Sequence, residues 1–326
     1  MAKFLKYVGR ALSFALTFLK GEHFILNKCQ DVPKELQKIS MELQGKGELD
    51  YFITDIEGMY PAMPKEIIRI AIRDTLNKVR QQTSYERVMV PKYGKGPCVW
   101  NLKNNVCKEK FAVINFNTII EALEFVLENT IIKTRTGELL KQEKGIPMGD
   151  SLSPGIAVGT TAWMEMEWMK SLNERTKEQF RAKRFMDDIL MVTAKADHIW
   201  TRDKFIQDFK ESTCYMPPLK LEDAGSETFL ETRLALVQGS YFRYRLKNPN
   251  EGSEEQQLLW KYHHYSSFMP KRMKEGVMKG CFLKIFRMAS DQENLEVSLC
   301  SKANEFMCLG YPSHMIDKII WNLEHF

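Results

Sequence analysis

The chain has 326 residues, of which 44% are hydrophobic and 27% are charged. This composition is typical of a globular protein with one large domain or two moderate ones. Its formal net charge of +5 is compatible with a nucleic-acid partner without requiring one. The seven cysteines are scattered and never spaced as CxxC, which argues against a disulfide framework and a zinc knuckle. They predict an intracellular, reducing compartment, with nucleus and organelle not separable.

No apolar run approaches the roughly 20 residues that a membrane-spanning helix needs. The best stretch, Ala11 to Leu19, is too short, so we expect no membrane partner. The segment Met1 to Lys20 carries only basic charges and has a single arginine. An amphipathic helix of the folded domain is therefore favoured over an organellar presequence.

Helical and strand patterns alternate along the chain, which predicts a layered α+β or α/β domain. The first half is predicted to contain a helix over 36–43, a strand over 51–55, a helix after Pro64, a basic hairpin over 84–110 and a helix over 117–129. The second half is predicted to contain a strand from the turn at Thr136-Gly137 to Gly145, a helix from Ser153 to about Arg175, a strand pair over 184–194, short strands over 219–236, a polar boundary over 247–257 and mainly helices over 267–326. Ser153 is expected to cap its helix, with Pro154 at the first helical position.

Two acidic sites lie within apolar surroundings. Asp55 follows the strand Phe52-Ile53-Thr54, and Asp187-Asp188 lie between the apolar halves of a predicted hairpin. Either site alone is typical of an ordinary turn, since aspartate suits turn geometry. Together they fit phosphoryl transfer by two metal ions about 3.5–4 Å apart. Magnesium prefers such oxygen ligands, and the ions would relieve the repulsion among three clustered acids.

The segment between the acidic sites, Gly145 to Pro154, links a strand to a helix start. Gly149 lets the backbone approach a flat ligand closely. The helix then begins with the run 155–162, which consists mostly of small residues. Two explanations stay open at this point: a template base pair packs against the small residues, or the helix packs tightly on a sheet.

These three segments resemble the signature motifs of reverse transcriptases. Residues 55–60 (DIEGMY) resemble motif A, residues 145–154 (GIPMGDSLSP) resemble motif B, and residues 185–188 (FMDD) resemble motif C. Further along, 220–222 and 229–232 are similar to motif D and to the primer-grip turn of motif E. Three sequence segments are most similar to those of Penelope-like retroelement enzymes: LKQEKG at 140–145, FLET at 229–232 and LGYP at 309–312. The resemblance covers roughly residues 30 to 320.

The resemblance implies an α+β right-hand polymerase fold, with a palm made of an antiparallel sheet backed by helices, a helical thumb and incomplete fingers. The implied domains are an N-terminal helical segment over 1–50 as a remnant of the fingers, a palm over 51–246 with the basic hairpin inserted at 84–110, and a thumb over 247–326.

The resemblance also implies roles for single residues. Asp55, Asp187 and Asp188 would be catalytic and, with the backbone carbonyl of Ile56, would bind two Mg²⁺ ions, for which Mn²⁺ can substitute. The residues implied to bind the nucleotide are Tyr60, which would block a ribose 2′-hydroxyl, Met148, Gly149 and Lys220. Two roles for Lys220 are equally open: it donates a proton to pyrophosphate, or it is a solvated strand residue. The residues implied to bind template and primer are Ser153, Pro154, Phe229, Leu230, Lys271, Arg272, Lys274 and Lys279.

The chain departs from the family pattern in three places. Phe185 stands where motif C usually begins with tyrosine, and Met148 replaces a polar residue found in some branches. Only 54 residues precede Asp55, where family members place fingers strands that grip the triphosphate. The expectation is a truncated or split enzyme that does not polymerise processively alone, with a second chain supplying fingers or endonuclease.

Two stretches concentrate basic charge. Lys261 to Arg287 contains seven basic residues and one acid, a local charge of +6, with interleaved aromatic residues. This pattern suits a thumb that follows a phosphate backbone, and a solvated basic face is the alternative. The hairpin over 84–110 is expected to contact template or a partner subunit. Reversing the charges of Lys92 and Lys95 should then weaken template binding in a salt-dependent way.

Three functions compete. The first is an RNA-directed DNA polymerase, which is favoured by the intact Asp55, Asp187, Asp188, Tyr60 and Gly149. It would act on an RNA or DNA template with a primer and deoxynucleoside triphosphates. A catalytically silent reverse-transcriptase-derived binding or assembly protein is favoured by the missing fingers. An RNA-dependent RNA polymerase is disfavoured by Tyr60 and by the wording of motif B.

Overall fold

The computed structural model describes residues 1–94, 96–101, 109–195, 207–212, 214–223, 225, 227–250 and 261–325. The chain forms two compact units. Unit 1 comprises Met1–Asn27, Thr54–Leu190 and Thr201–Ala224, and unit 2 comprises Lys28–Ile53, Met191–Trp200 and Gly225–Phe326. These units differ from the predicted domains, because 28–53 and 225–246 group with the C-terminal helices. Sequence patterns do not reveal such groupings, since they arise from contacts between distant segments.

The named helices are α1 (Ala2–Leu16), α2 (Val32–Leu43), α3 (Met59–Ala62), α4 (Lys65–Thr83), α5 (Phe116–Asn129), α6 (Ser153–Ser171), α7 (Glu174–Gln179), α8 (Lys271–Met288), α9 (Gln292–Cys308) and α10 (Ser313–Glu324), with a 3-10 turn at Cys29–Asp31. The strands are β1 (Glu48–Glu57), β2 (Arg87–Pro91), β3 (Val99–Trp100), β4 (Phe111–Asn115), β5 (Ile131–Lys133), β6 (Leu139–Lys141), β7 (Phe180–Phe185), β8 (Asp188–Lys195), β9 (Lys220–Asp223), β10 (Thr228–Phe229), β11 (Thr232–Val237) and β12 (Tyr241–Leu246). No described helix is both long and apolar enough to cross a membrane.

The sheet that carries the acidic residues has the strand order β7-β8-β1-β9. β1 is antiparallel to β9, with Asp55 opposite Glu222 and Glu57 opposite Lys220. Alternation along β1 buries Ile56 and leaves the carboxylates of Asp55 and Glu57 on the other face. The sheet therefore presents four charged side chains from two strands on one face.

Helix α6 is the central helix of unit 1, and α1 and α4 pack against it. A Cβ atom on Gly155 would come within 3.0 Å of the Leu12 side chain, and one on Gly159 would come within 2.7 Å of Ile72. At these two glycines the small-residue run serves close packing between helices. The packing of a template base pair against the run stays a prediction.

The N-terminal segment forms the amphipathic helix α1, as predicted. Its apolar stripe, which includes Leu5, Val8 and Leu12, is buried. On another side of α1, the guanidinium of Arg10 donates hydrogen bonds to the carbonyls of Pro91 (3.1 Å) and Gly96 (2.6 Å). α1 therefore helps to hold the adjacent basic segment.

The predicted basic hairpin belongs to a three-stranded antiparallel sheet of order β3-β2-β4. The Trp100 ring on β3 packs edge-on against Phe14 and Phe18 of α1, with ring centroids 5.0 and 5.1 Å apart. Lys95 and residues 102–108 of the predicted hairpin lie outside the described part of the chain. The contact of this segment with template stays a prediction.

Three predicted boundaries are corrected. The strand expected to reach Gly145 ends at Lys141, in the two-stranded hairpin β5-β6. Helix α6 ends at Ser171, before a separate short helix α7. The Ser153 hydroxyl does not cap α6, because it lies inside the helix and donates to the carbonyl of Pro147 at 2.6 Å.

Unit 2 combines a three-stranded sheet of order β10-β11-β12 with α2 and the three C-terminal helices. Met278 and Phe282 of α8, Phe306 of α9, and Met315 and Ile316 of α10 form the centre of its apolar core. Residues 267–325 are therefore mainly helical, as predicted.

The start of α9 is fixed by Asp291. Its carboxylate accepts a hydrogen bond from the Asn294 amide at 3.0 Å and pairs with both Nε and Nη2 of Arg243. The Arg243 guanidinium lowers the pKa of the Asp291 carboxyl far below its usual value. Asp291 is thus both a helix cap and an ion-pair partner.

We expect Asp291→Ala to lower the free energy of unfolding by about 1 kcal/mol through the lost cap. Asp291→Asn keeps a capping oxygen but loses the charge and one of the two acceptors for the Arg243 guanidinium, so it isolates the ion pair from the cap. Because the folded pKa of Asp291 is depressed, its charge stabilises the fold above pH 3.8 and loses this effect as pH falls below 3.8. Urea unfolding of parent and Asn variant at pH 7 and pH 3 measures this. A pH-independent difference between them would contradict the assignment.

Candidate active site

The two acidic sites meet at a turn between neighbouring strands. β7 ends at Phe185 and β8 begins at Asp188, so Met186 and Asp187 form the turn. The amide of Ile56, next to Asp55 in β1, donates a hydrogen bond to the carbonyl of Asp187 at 3.1 Å. The fold thus brings together two acidic sites that are far apart in the sequence.

The carboxylates at this turn perturb one another. The pKa of Asp188 is raised to about 6, first by burial and then by the charges of Asp187 and Asp55. Burial, and then the charge of Asp187, also raise the pKa of Asp55, and the charge of Glu222 adds to this. The pKa of Tyr60 is raised by burial and by Asp187. A site with this much uncompensated negative charge favours the binding of a cation.

The donor set fits a hard divalent cation, because it consists of half-buried carboxylate oxygens that repel one another. Within the described residues, no three carboxylate, imidazole or thiol groups are already arranged to hold a metal ion. The role of Asp55, Asp187, Asp188 and the Ile56 carbonyl as metal ligands therefore stays a prediction.

We expect divalent-cation affinity to rise with pH and level off above about pH 6. Asp188 must lose its proton before its oxygens can bind a cation, and its pKa lies near 6. In the absence of cations, the stability of the fold changes with pH in the opposite direction. Because the pKa of Asp188 is raised in the folded chain, the fold loses stability as pH rises from about 4 to about 6. Mn²⁺ titration by electron paramagnetic resonance at pH 5, 6, 7 and 8 tests this. Equal affinity at pH 5 and 8 would contradict it.

The start of motif B is fixed against Tyr60. The Ile146 amide donates to the Tyr60 carbonyl at 2.7 Å. Gly145 has a φ of +76°, and a Cβ atom there would come within 2.4 Å of the same carbonyl oxygen. Glycine is therefore needed at 145 for both conformation and space.

We expect Gly145→Ala to destabilise unit 1 by roughly 2 kcal/mol, since both the left-handed φ and the backbone clash oppose it. It should also displace Tyr60. Thermal unfolding compared with Gly137→Ala is informative, because Gly137 also has a positive φ but has nothing within 4 Å of an added Cβ. Equal losses in the two variants would show that the close approach at Gly145 carries no cost of its own.

The tip of motif B is open. Met148 is 76% exposed, and Gly149, at φ +93°, has no atom within 4 Å of an added Cβ. The Asp150 carboxylate accepts from the Leu152 amide at 2.7 Å and shapes the return of the chain into α6. Met148 and Gly149 are thus accessible to a ligand, and their contact with a nucleotide stays a prediction. Ser153 is corrected, because it is buried and its hydroxyl serves the loop itself.

Lys220 and Glu222 lie on β9. Lys220 is exposed and, from its register opposite Glu57, lies on the same face as Asp55. Its role as proton donor stays a prediction. Glu222 was not predicted as a site residue, although it lies directly opposite Asp55 and raises the pKa of that carboxyl. Only the strand register reveals it.

The predicted template and primer residues that follow Pro154 in the sequence all lie in unit 2. Lys271, Arg272 and Lys279 are exposed on α8, as a role in binding phosphates requires. Lys274 is corrected, because it is buried and its ammonium group donates to the carbonyls of Tyr265 (2.6 Å) and Ser267 (2.7 Å). It holds the segment before α8 in place.

The turn between β10 and β11 also needs one correction. Phe229 is 1% exposed, so its ring belongs to the core of unit 2. Leu230 follows at a φ of +56° and is half-buried at the turn. The contact of this turn with template or primer stays a prediction, and it would involve the backbone because the Phe229 ring is buried.

A basic cavity of about 350 Å³ lies within unit 2, beside this turn. Five basic side chains line it: Arg245, Lys247, Lys261, Lys284 and Lys302. Glu231 is the acid in the lining, and it pairs with Lys284. The sequence did not predict this cluster, because its members come from β12, α8, α9 and the segments between them.

Comparison of the sequence with known families gives a match over the C-terminal helices. Residues 261–321, which contain α8, α9 and most of α10, match the family described as "Animal helix-turn-helix domain". No curated protein sequence matches the chain.

Among solved structures, the chain is similar to telomerase from Candida albicans in complex with a TWJ fragment of telomeric RNA. The TM-score is 0.63 at 12% identity, over 98% of this chain and 52% of that one. Apo telomerase from Candida tropicalis gives a TM-score of 0.55 at 17% identity, over 98% and 50% of the two chains. The same enzyme with a TWJ fragment gives 0.55 at 17% identity, over 93% and 46%.

The chain therefore has the α+β palm-and-thumb fold of nucleic-acid polymerases, as predicted. It spans about half the length of the telomerase chains that it matches.

Proposed function

We propose that this chain is a template-directed DNA polymerase of the reverse-transcriptase type. One observation carries the proposal: on a polymerase fold, the turn with Asp187 and Asp188 lies beside Asp55, with a hydrogen bond joining Asp187 to Ile56. Mg²⁺ or Mn²⁺ bound by these carboxylates would supply the charge that activates a primer 3′-hydroxyl and stabilises the leaving pyrophosphate.

The remaining residues would bind and select the substrates. The half-buried Tyr60 would close the sugar position of a deoxynucleoside triphosphate, and the open Met148–Gly149 backbone would lie along its base. The exposed Lys271, Arg272 and Lys279 would contact the phosphates of a primer–template duplex. The telomerase complexes that contain a TWJ fragment of telomeric RNA support the binding of RNA by this fold.

The finer assignment rests on the sequence resemblance. The wording at 140–145, 229–232 and 309–312 favours a Penelope-like retroelement origin.

The competing function is that of a catalytically silent nucleic-acid-binding or assembly protein. It is favoured by one observation: the exposed Lys271, Arg272 and Lys279 and the basic cavity of unit 2 can bind phosphates without any catalytic carboxylate.

Primer extension separates the two functions. The purified chain is given a labelled primer on RNA and DNA templates of the same sequence, with Mg²⁺ or Mn²⁺ and deoxynucleotides, and primer–template affinity is measured by fluorescence anisotropy. Incorporation that is lost in Asp187→Ala and kept in Asp208→Ala supports the polymerase, because Asp208 is exposed and is not among the charges that raise the pKa of Asp55 or Asp188. Full binding without incorporation under all conditions supports the silent protein.

A further inference from the structure

Arg184 is a buried arginine two residues before the turn that carries Asp187. It is 1% exposed, and its backbone is fixed on both sides. Its carbonyl accepts from the Leu26 amide at 2.7 Å, and its amide donates to the Phe24 carbonyl at 2.5 Å. Its position at the end of β7 is therefore set by the chain that follows α1.

The guanidinium of Arg184 joins two different groups. Nε pairs with the carboxylate of Glu165, which is fully buried in α6. Nη1 donates to the carbonyl of Met186 at 2.7 Å. A guanidinium can do both because its donors form a rigid planar fork.

Glu165 is itself held in place by other partners. It accepts a hydrogen bond from the Tyr215 hydroxyl at 2.7 Å and one from the Phe24 amide at 2.8 Å. A buried charge is costly unless it is paired and fully hydrogen-bonded. The network of Glu165, Tyr215 and Phe24 therefore fixes the direction in which the Arg184 guanidinium points.

The group at the other end of this network is under backbone strain. Met186 has a φ of +59°, in the left-handed region that non-glycine residues adopt only when neighbouring contacts hold them there. Its carbonyl belongs to the peptide unit that leads into Asp187. The hydrogen bond from Arg184 thus holds the peptide before Asp187, and the Ile56 amide holds the carbonyl after it.

We propose that Arg184 is a positioning residue, whose guanidinium, anchored by Glu165, holds the left-handed turn at Met186 so that Asp187 lies against the strand of Asp55. The expected effect of this positioning on catalysis rests on the proposed function. The geometry of the turn itself can be tested without catalysis.

The decisive variant is Arg184→Lys. Lysine keeps the charge opposite Glu165, but its single nitrogen cannot also reach the Met186 carbonyl in the fork geometry. We expect amide exchange in peptides covering 52–60 and 185–190 to accelerate by about tenfold, because the turn loses a charge-assisted hydrogen bond. Mn²⁺ affinity should weaken by about tenfold for the same reason. Hydrogen-exchange mass spectrometry and Mn²⁺ electron paramagnetic resonance measure the two effects.

A rescue variant separates positioning from general stability. Glycine adopts a left-handed φ without strain, so Met186→Gly added to Arg184→Lys should restore most of the exchange protection and Mn²⁺ affinity. Leu76→Ala, in the buried face of α4, is the control for lost stability. It should lower the melting temperature without a selective effect on the two peptides. An Arg184→Lys effect no more local than that of Leu76→Ala, or no rescue by glycine, would overturn the proposal.

Tyr215→Phe keeps the inference testable if Arg184→Lys does not fold. It removes only the hydroxyl that donates to Glu165, and we expect exchange at the turn to rise by about threefold. No change would count against the proposal. If the parent chain incorporates no nucleotide while the exchange effects and the rescue appear, the proposed function fails and the positioning role stands. If the parent polymerises and Arg184→Lys leaves exchange and Mn²⁺ affinity unchanged, the positioning role fails and the function stands.

Discussion

Asp187→Asn is expected to reduce nucleotide incorporation by at least about a thousandfold. Its carboxylate would hold a divalent cation at the point where charge develops during phosphoryl transfer, and such charge stabilisation contributes several kcal/mol to the rate. Asparagine keeps the shape and the turn but removes the charge. Single-turnover primer extension with saturating deoxynucleotides measures the effect.

The same substitution should make the fold more stable without divalent cations. Asp187 raises the pKa of both Asp55 and Asp188, so removing its charge relieves repulsion at the turn. We expect the free energy of unfolding at pH 8 to rise by roughly 0.5–1 kcal/mol, a range that allows for solvent screening. Mn²⁺ should raise the melting temperature of the parent and of Asp208→Asn more than that of Asp187→Asn. An Asp187→Asn variant with more than a tenth of parental activity would contradict the metal assignment.

Tyr60→Ala is expected to relax sugar selection, raising the relative use of ribonucleotides by roughly a hundredfold. The Tyr60 ring lies half-buried within electrostatic reach of Asp187. Its backbone carbonyl accepts from the Ile146 amide, which fixes the point of the chain from which the ring projects. Removing a steric block raises kcat/KM for the disfavoured substrate, because it lowers the free energy of that substrate's transition state.

The measurement compares kcat/KM for a deoxynucleotide and the matching ribonucleotide on one primer–template. Tyr60→Phe is the matched control: it keeps the ring and should retain discrimination within about threefold of the parent. If alanine lowers kcat/KM for both substrates equally, Tyr60 has a structural role and does not select the sugar.

Local patterns in the amino-acid sequence were sufficient for most helices and for the strand that ends near Asp55. Apolar periodicity identified α4, α5 and the C-terminal helices, because a helix buries one stripe whatever its partner is. The resemblance of three segments to reverse-transcriptase motifs also implied the α+β polymerase fold, which the similarity to telomerase confirms. These features are short-range, so a single sequence carries them.

Other features depended on contacts between distant segments. Gly155 and Gly159 of α6 face helices α1 and α4, and the burial of Ser153, Phe229 and Lys274 follows from neighbours that no local pattern specifies. The division into two discontinuous units arises in the same way.

The pairing of Glu222 with Asp55 and the link from Glu165 through Arg184 to the turn likewise exist only in three dimensions. Strand register and the burial of an ion pair are properties of the folded chain, because each is decided by which surfaces remain in contact once water is excluded. The sequence therefore shows which carboxylates are available, and the tertiary structure decides which of them meet and what holds them there.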